Sequence, residues 1–161
     1  MEYQINFDSP LGILTVKSDG QAVTEILFSD SDAIQETQNS CAVLESCREQ
    51  LSDYFAGKSV SFNLPLNPDG TEFQQRVWAE LLKIPYGETV TYMELAIRLG
   101  DTKAIRAVGT ANGRNPIAIL IPCHRVIGVG NKLTGYAGGI WRKKALLELE
   151  MTHSVRKDRL F

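Results

Sequence analysis

The sequence predicts an α+β fold, with an N-terminal antiparallel sheet and one helix, followed by a mostly helical half that contains a helix-turn-helix. Three observations lead there. Near the N-terminus apolar and polar residues alternate with period two, whereas many later segments repeat apolar residues every three or four positions. Between the two regimes, Asn67-Pro68-Asp69-Gly70 is strong turn punctuation. The charge balance also reverses there: residues 1–72 carry 12 acidic and 3 basic side chains, and residues 73–161 carry 7 acidic and 14 basic, in a chain of net charge −2. Two domains are expected, 1–70 and 71–161.

Tyr3, Ile5 and Phe7 alternate with polar neighbours as a first strand, and Ser9-Pro10-Leu11-Gly12 turns the chain into a second, Ile13 to Val16. Asp19-Gly20-Gln21 is the next turn, and Val23 to Phe28 reads as a third strand, giving an antiparallel meander. After a polar loop at 29–39, Cys41, Leu44, Cys47, Leu51, Tyr54 and Phe55 fall on one face of a helix. Phe62, Leu64 and Leu66 alternate as a further short strand.

In the second half, Phe73, Val77, Leu81 and Leu82 mark an amphipathic helix that Ile84-Pro85-Tyr86-Gly87 stops. Thr91-Tyr92-Met93-Glu94 has the form of a capping box, so a helix should begin at Tyr92 and run through Leu95, Ala96 and Leu99. Gly100-Asp101-Thr102 breaks it, and Ala104, Ala107, Val108 and Ala111 form the inner stripe of the next helix. The run Ile117-Ala118-Ile119-Leu120-Ile121 reads as a buried strand. Residues 156–161 show no periodicity and are expected to be mobile.

Composition narrows the function. The chain has 3 cysteines, an odd number, no C-x-x-C pair and 2 histidines, which supports neither a disulfide framework nor a structural zinc site. No secretory leader and no bilayer-length apolar run is present, so a cytoplasmic location is expected, where thiols stay reduced. Cys41 and Cys47 read as small buried hydrophobes. The basic second half points to a localised contact with a polyanion, although a merely solvated charged face would look the same.

The helix pair 92–99 and 104–111 is a helix-turn-helix candidate, a motif that many helical proteins contain. Lys103, Arg106 and Arg114 are cationic, and Gly109, Thr110 and Ala111 are small enough for a backbone to approach DNA closely. Only Arg106 and Asn112 could read base edges, so binding by phosphate contact and shape is expected.

Cys123 and His124 stand side by side in Pro122-Cys123-His124-Arg125-Val126, directly after the apolar run. A cysteine is mostly protonated at neutral pH, and a neighbouring imidazole oriented by a carboxylate would activate it. Taken alone, the pair fits equally a buried cysteine beside a histidine satisfied by backbone.

The flanking sequence decides between these. Arg106-Ala-Val-Gly-Thr-Ala-Asn-Gly-Arg-Asn115-Pro-Ile-Ala-Ile-Leu-Ile-Pro-Cys123-His-Arg-Val126, followed by Gly135-Tyr136-Ala137-Gly138-Gly139, resembles the O6-alkylguanine-DNA alkyltransferases of the bacterial type. Phe73 to Trp78 and Ile84 to Tyr92 are similar to the same family. The likeness is strong from about 71 to 150 and loose before that, where it rests on length and strand-helix order. It implies an RNase H-like N-terminal domain, no cofactor or metal, and a monomer, able to act cooperatively, whose partner is double-stranded DNA carrying alkylated guanine.

The resemblance also implies roles residue by residue. Cys123 would accept the alkyl group, His124 would deprotonate it through a water, and Glu150 would hold the other imidazole nitrogen. Asn115 would brace the active-site turn, and Tyr92 would donate to guanine N3 and crowd the phosphate during base flipping. Arg106 would fill the gap in the stack, with Lys103, Ala107, Thr110, Ala111 and Arg114 along the DNA. Val126 and the Cys123 carbonyl would accept from the guanine amino group, Tyr136 would wall the pocket, and the Ala137 amide would donate to O6. Two other readings remain: a Cys-His-Glu hydrolase, which leaves Arg106 and the basic half without a task, and a non-catalytic damage-binding protein, which would not need Cys123.

Overall fold

The computed structural model describes residues 2–29 and 38–158, with side chains as far as 154. Two compact units are distinguished by their internal packing: Met1–Asp69 with Pro116–Ala118, and Gly70–Asn115 with Ile119–Phe161.

The first unit is a meander of β1 (Tyr3–Ser9), β2 (Gly12–Ser18) and β3 (Val23–Ser29), all antiparallel, in the order β1-β2-β3. Alternation places Ile5, Leu14, Val16 and Ile26 on one face, all fully buried. The amphipathic helix α1 (Ala42–Phe55) covers that face with Leu44, Cys47, Leu51 and Tyr54. Cys47 is a core residue whose thiol burial pushes up to about 12, which makes it inert. Cys41 is not on the buried face; it is the half-buried N-cap residue of α1. The first hairpin is closed by the Ser9 hydroxyl, which donates to the Gly12 carbonyl at 2.6 Å and accepts from the Leu11 amide at 3.1 Å.

Two expected strands are not formed. Phe62 to Leu66 is not a strand: only a single parallel bridge, Val23 to Leu66, is made there, because alternation gives a strand a face but not a partner edge. Ile117 to Ile121 is not a strand either. Ile117 makes one bridge to Ile26, and the chain then turns. The expected loop at 29–39 lies mostly outside the described residues.

The second unit begins with α2 (Glu72–Leu81). Thr71 caps it in a full capping box with Gln74, which the sequence reading overlooked although T-x-x-Q is its signature. Gly70 lies so close beneath the Trp78 ring that a side chain could not fit. Trp78 is buried, and its indole N–H donates to the Ala111 carbonyl at 2.9 Å, joining α2 to α4 (Ile105–Gly113). Between them come the two-residue β4 (Val90–Thr91) and α3 (Tyr92–Arg98). The Thr91 hydroxyl accepts from the Glu94 amide at 3.1 Å, the only arm of the expected capping box that forms. Gly100, at φ +84°, makes the turn, and a short 3-10 turn, Thr102–Ala104, leads into α4. Helices α3 and α4 pack together as the helix-turn-helix.

The inner face of α4 is Val108, Ala111 and Asn112, so of the expected stripe Val108 and Ala111 are buried and Ala104 is only half-buried. Ala107 is exposed, because the helix turns its smallest residues both inward and outward. β5 (Val126–Ile127) pairs in parallel with β4, Val90 with Val126 and Thr91 with Ile127. The long helix α5 (Ile140–Asp158) completes the unit. Its backbone is helical through residue 158, so the tail expected to be mobile from 156 is part of a helix for three residues, and 159–161 lie outside the described set. None of the described helices is long and apolar enough to cross a membrane.

Candidate active site

The site is built around a bend. Ile119 adopts φ 73°, a left-handed conformation that strains a β-branched residue, and the apolar side chains of 117–121 are all buried, which offsets the cost. Pro122, at φ −82° and ψ 62°, is the centre of an inverse γ-turn in which the Cys123 amide donates to the Ile121 carbonyl at 2.8 Å. Asn115 Nδ2 donates to that same carbonyl at 2.8 Å and so pins the bend. Cys123 then opens a 3-10 turn, Cys123–Arg125, rather than ending a strand.

Cys123 is 7 % exposed. Burial pushes its thiol up from the ordinary cysteine value, opposed by a hydrogen bond from Asn115 and by the charge of Lys143. The resting group is therefore a thiol that needs a base. Its carbonyl already accepts from Asn112 Nδ2 at 3.4 Å and from the Val126 amide, so Asn112, a candidate base reader in the sequence, faces inward as a support. Val126 is fully buried in β5.

His124 is fully buried, and its Nε2 lies 2.7 Å from Glu150 Oε2. Burial holds the imidazole below its ordinary value against the pull of the carboxylate. Since an ionised Glu150 can only accept, Nε2 carries the proton and Nδ1 presents a lone pair. Nδ1 is buried and has no hydrogen-bond partner among the described residues. Glu150 lies on α5, 1 % exposed, and its partners His124 and Arg125 keep it well below the usual carboxylate range despite burial. It is in no sense a solvated helix-end carboxylate.

Arg125 is the residue that sequence reading passed over. Its Nε donates to Glu150 Oε1 at 2.8 Å and its Nη2 to Oε2 at 3.0 Å, a two-pronged pair, while Nη1 donates to the Ile84 carbonyl at 2.7 Å. Gly87, at φ +80°, brings its amide to 3.3 Å from Oε1, where a side chain would strike Ser154.

Lys143 was also missed. It is fully buried, donates to the Thr134 carbonyl at 2.7 Å, and burial pushes its ammonium down to about 8. Its seven-residue spacing from Glu150 on one helix, with buried Leu146 between, was the available signal. Tyr92, half-buried at the start of α3, donates to the same Thr134 carbonyl at 3.2 Å, with Lys143 Nζ 5.8 Å from its ring.

Burial raises the Tyr136 hydroxyl well above its ordinary value, and the hydroxyl is buried without a partner among the described residues. Ala137 is exposed, and its amide has no partner among the described residues. On the helix-turn-helix, Lys103, Arg106, Ala107, Thr110 and Arg114 are exposed, with the Gly109 face close to the Tyr92 ring. Ala111 is 3 % exposed behind α4 and cannot touch a ligand on that surface.

Comparison with known proteins places this arrangement. The family model described as the DNA binding domain of 6-O-methylguanine DNA methyltransferase matches residues 72–152, and the model of its ribonuclease-like domain matches residues 3–68. The chain belongs to the 6-O-methylguanine DNA methyltransferase family. Among the members, the methylated-DNA–protein-cysteine methyltransferase of Mycobacterium tuberculosis is 47 % identical over 96 % of this chain and 95 % of its own length. That of Methanosarcina acetivorans is 47 % identical over 92 % of this chain and 97 % of its own. The crystal structure of the M. tuberculosis O6-methylguanine methyltransferase superposes with a TM-score of 0.86 over 95 % of this chain and 94 % of that one. A structure of M. tuberculosis OGT in complex with DNA is 49 % identical, with a TM-score of 0.84 over 92 % of both chains. The family's two-part α+β architecture is the one described above.

Proposed function

We propose that this chain repairs DNA by moving an alkyl group from O6 of guanine, and from O4 of thymine, onto Cys123, once and irreversibly. The observation that carries this reading is the buried thiol followed by an imidazole whose Nε2 is on a carboxylate and whose Nδ1 is unpartnered. Membership in a methyltransferase family and likeness to a relative crystallised with DNA support it.

A guanine in a duplex presents its O6 inside the groove, so the nucleotide must leave the stack, at a cost of a few kcal/mol. Arg106, exposed on α4, fills the gap in this reading. Thiol deprotonation follows as the proton passes through a water to His124 Nδ1. The new S–C bond forms as the C–O6 bond breaks, and the pair of electrons stays on guanine. The Ala137 amide donates to the oxygen as its charge grows, and Tyr92, redirected from Thr134, donates to N3. The product is a thioether with no hydrolytic route back, so each molecule acts once. The protein would work as a cytoplasmic monomer, cooperative on DNA, through contacts with phosphates rather than through sequence readout.

Cys123→Ala tests the reading. The variant should bind an O6-methylguanine duplex with an affinity within about twofold of the parent, a few tenths of a kcal/mol by affinity arithmetic, and transfer nothing. Residual transfer in a gel assay of the repaired strand would place the acceptor elsewhere.

A further inference from the structure

We propose that Arg125 is a positioning residue for this transfer, whose fork on Glu150 keeps His124 a neutral, Nε2–H imidazole with Nδ1 open to the thiol proton. The inference rests on the reading of Cys123 as the acceptor. Its basis is geometric.

All three guanidinium nitrogens of Arg125 are used: two on the two Glu150 oxygens at 2.8 and 3.0 Å, and one on the Ile84 carbonyl at 2.7 Å. The group also lies over the Tyr86 ring at 5.8 Å. It is thus held from two sides, by the segment after α2 and by α5. Glu150 Oε2 is shared between Nη2 and His124 Nε2.

Consider the buried charges. A lone buried carboxylate beside an imidazole is a net negative site, and the cheapest neutralisation is to protonate the imidazole. An imidazolium has an N–H at Nδ1 and is useless as a base. Arg125 supplies the positive charge permanently, since guanidinium does not deprotonate in proteins. The carboxylate is then balanced without a proton on Nδ1, and its remaining task is to fix the tautomer. The other charged or titratable groups that face this cluster are Lys143 from α5, the Cys123 thiol, and the Tyr86 and Tyr136 hydroxyls, with Arg142 beside Tyr136. Lys143 pushes the imidazole in the same direction as Arg125, and both tyrosines are held protonated by burial. Arg125 meets Glu150 from the cationic side through both carboxylate oxygens.

The test uses full-length protein in two variants, Arg125→Met, which keeps bulk without charge, and Arg125→Lys, which keeps charge without the fork. The ring nitrogens of His124 are followed by 15N chemical shift from pH 5 to pH 9, with no DNA present. The parent should show a neutral Nε2–H ring at pH 7, and Arg125→Met should show an imidazolium there. Reaction of Cys123 with free O6-benzylguanine is then measured against pH. Arg125→Met should lose about tenfold in rate for each pH unit below the new imidazole value, as the neutral fraction falls. Arg125→Lys should keep the parent's ring state while its rate falls severalfold at every pH, because an ammonium cannot orient both oxygens.

A neutral Nε2–H ring in a folded Arg125→Met protein, with the parent's pH profile, would overturn the proposal. If that variant does not fold, the parent alone decides, since an imidazolium in the parent at pH 7 would overturn it equally. Because the ring measurement needs no alkyl donor, correct ring states with alkyl transfer to another residue would count against the acceptor reading and leave the role of Arg125 standing.

Discussion

Replacement of Glu150 by alanine is expected to lower stability by about 3–5 kcal/mol, the usual cost of removing one partner from a buried ion pair. The loss is large because three groups are orphaned together. The Arg125 guanidinium is left with the Ile84 carbonyl alone, His124 Nε2 loses its acceptor, and the Gly87 amide loses its own. At roughly 2–4 °C per kcal/mol for a chain of this size, Tm should drop by about 10 °C, measured by calorimetry. Alkyl transfer should fall by about 10²–10⁴-fold, the contribution of a well-oriented base.

The same residue sets an acid limit. The Glu150 carboxyl is held below its ordinary value, 4.5, in the folded protein. A depressed carboxyl contributes stability that is fully present above the unfolded value and is lost as pH falls through it, because the unfolded chain then binds the proton first. His124 acts in the same direction. Its folded value is below 6.5, so the unfolded state takes up a proton first as pH drops below about that point. Urea midpoints should therefore decline from pH 6.5 downward, more steeply below 4.5, and Glu150→Gln should flatten the lower part of that decline. A midpoint unchanged between pH 7 and pH 4 would contradict the buried cluster.

Arg106→Ala is expected to slow repair of an O6-methylguanine duplex by about 10²-fold, since unstacking costs a few kcal/mol and each 1.36 kcal/mol is tenfold in rate. Reaction with free O6-benzylguanine, which needs no flipping, should change by less than about twofold, well under the tenfold that 1.36 kcal/mol would give. Arg106 is exposed on α4, so its loss should leave the fold unchanged. Equal losses on the two substrates would remove the flipping role and leave Arg106 as a general phosphate contact. The two rates, taken under single-turnover conditions at one salt concentration, decide the matter, since phosphate contacts alone would show up as a salt-dependent affinity term.

How much of this was legible in the chain differs by element. The meander and α1 follow from period-two and period-3.6 apolar patterns, which are the signals that burial of one face imposes. The segment 117–121 looked like a strand because an unbroken apolar run states only that both faces are buried. A left-handed bend at Ile119 satisfies that as well as a strand does. The two-residue strands β4 and β5 are too short for any pattern, yet their pairing ties Thr91, the cap of α3, to Ile127 beside the turn that holds Cys123. Alanines in α4 carry little hydropathic contrast, so Ala107 was placed on the wrong face.

In the site, Cys123 and His124 stood out by adjacency, and Glu150 came only through family resemblance, since a carboxylate near a helix end is ordinarily solvated. Arg125 and Lys143 went unnoticed for the matching reason: charged side chains are rarely buried, and their burial depends on partners that lie 25 residues away in sequence for Arg125 and 9 for Lys143.

The central claim is that Cys123 is the acceptor and is spent by one transfer. Its most direct test is to incubate the protein with a tenfold excess of O6-methylguanine duplex, weigh the intact protein and map the modified peptide by mass spectrometry. One added methyl per molecule, on the Cys123 peptide, with unmodified Cys41 and Cys47 and one repaired lesion per protein, is the expected result. More than one lesion repaired per molecule, or a methyl on any other residue, would contradict it.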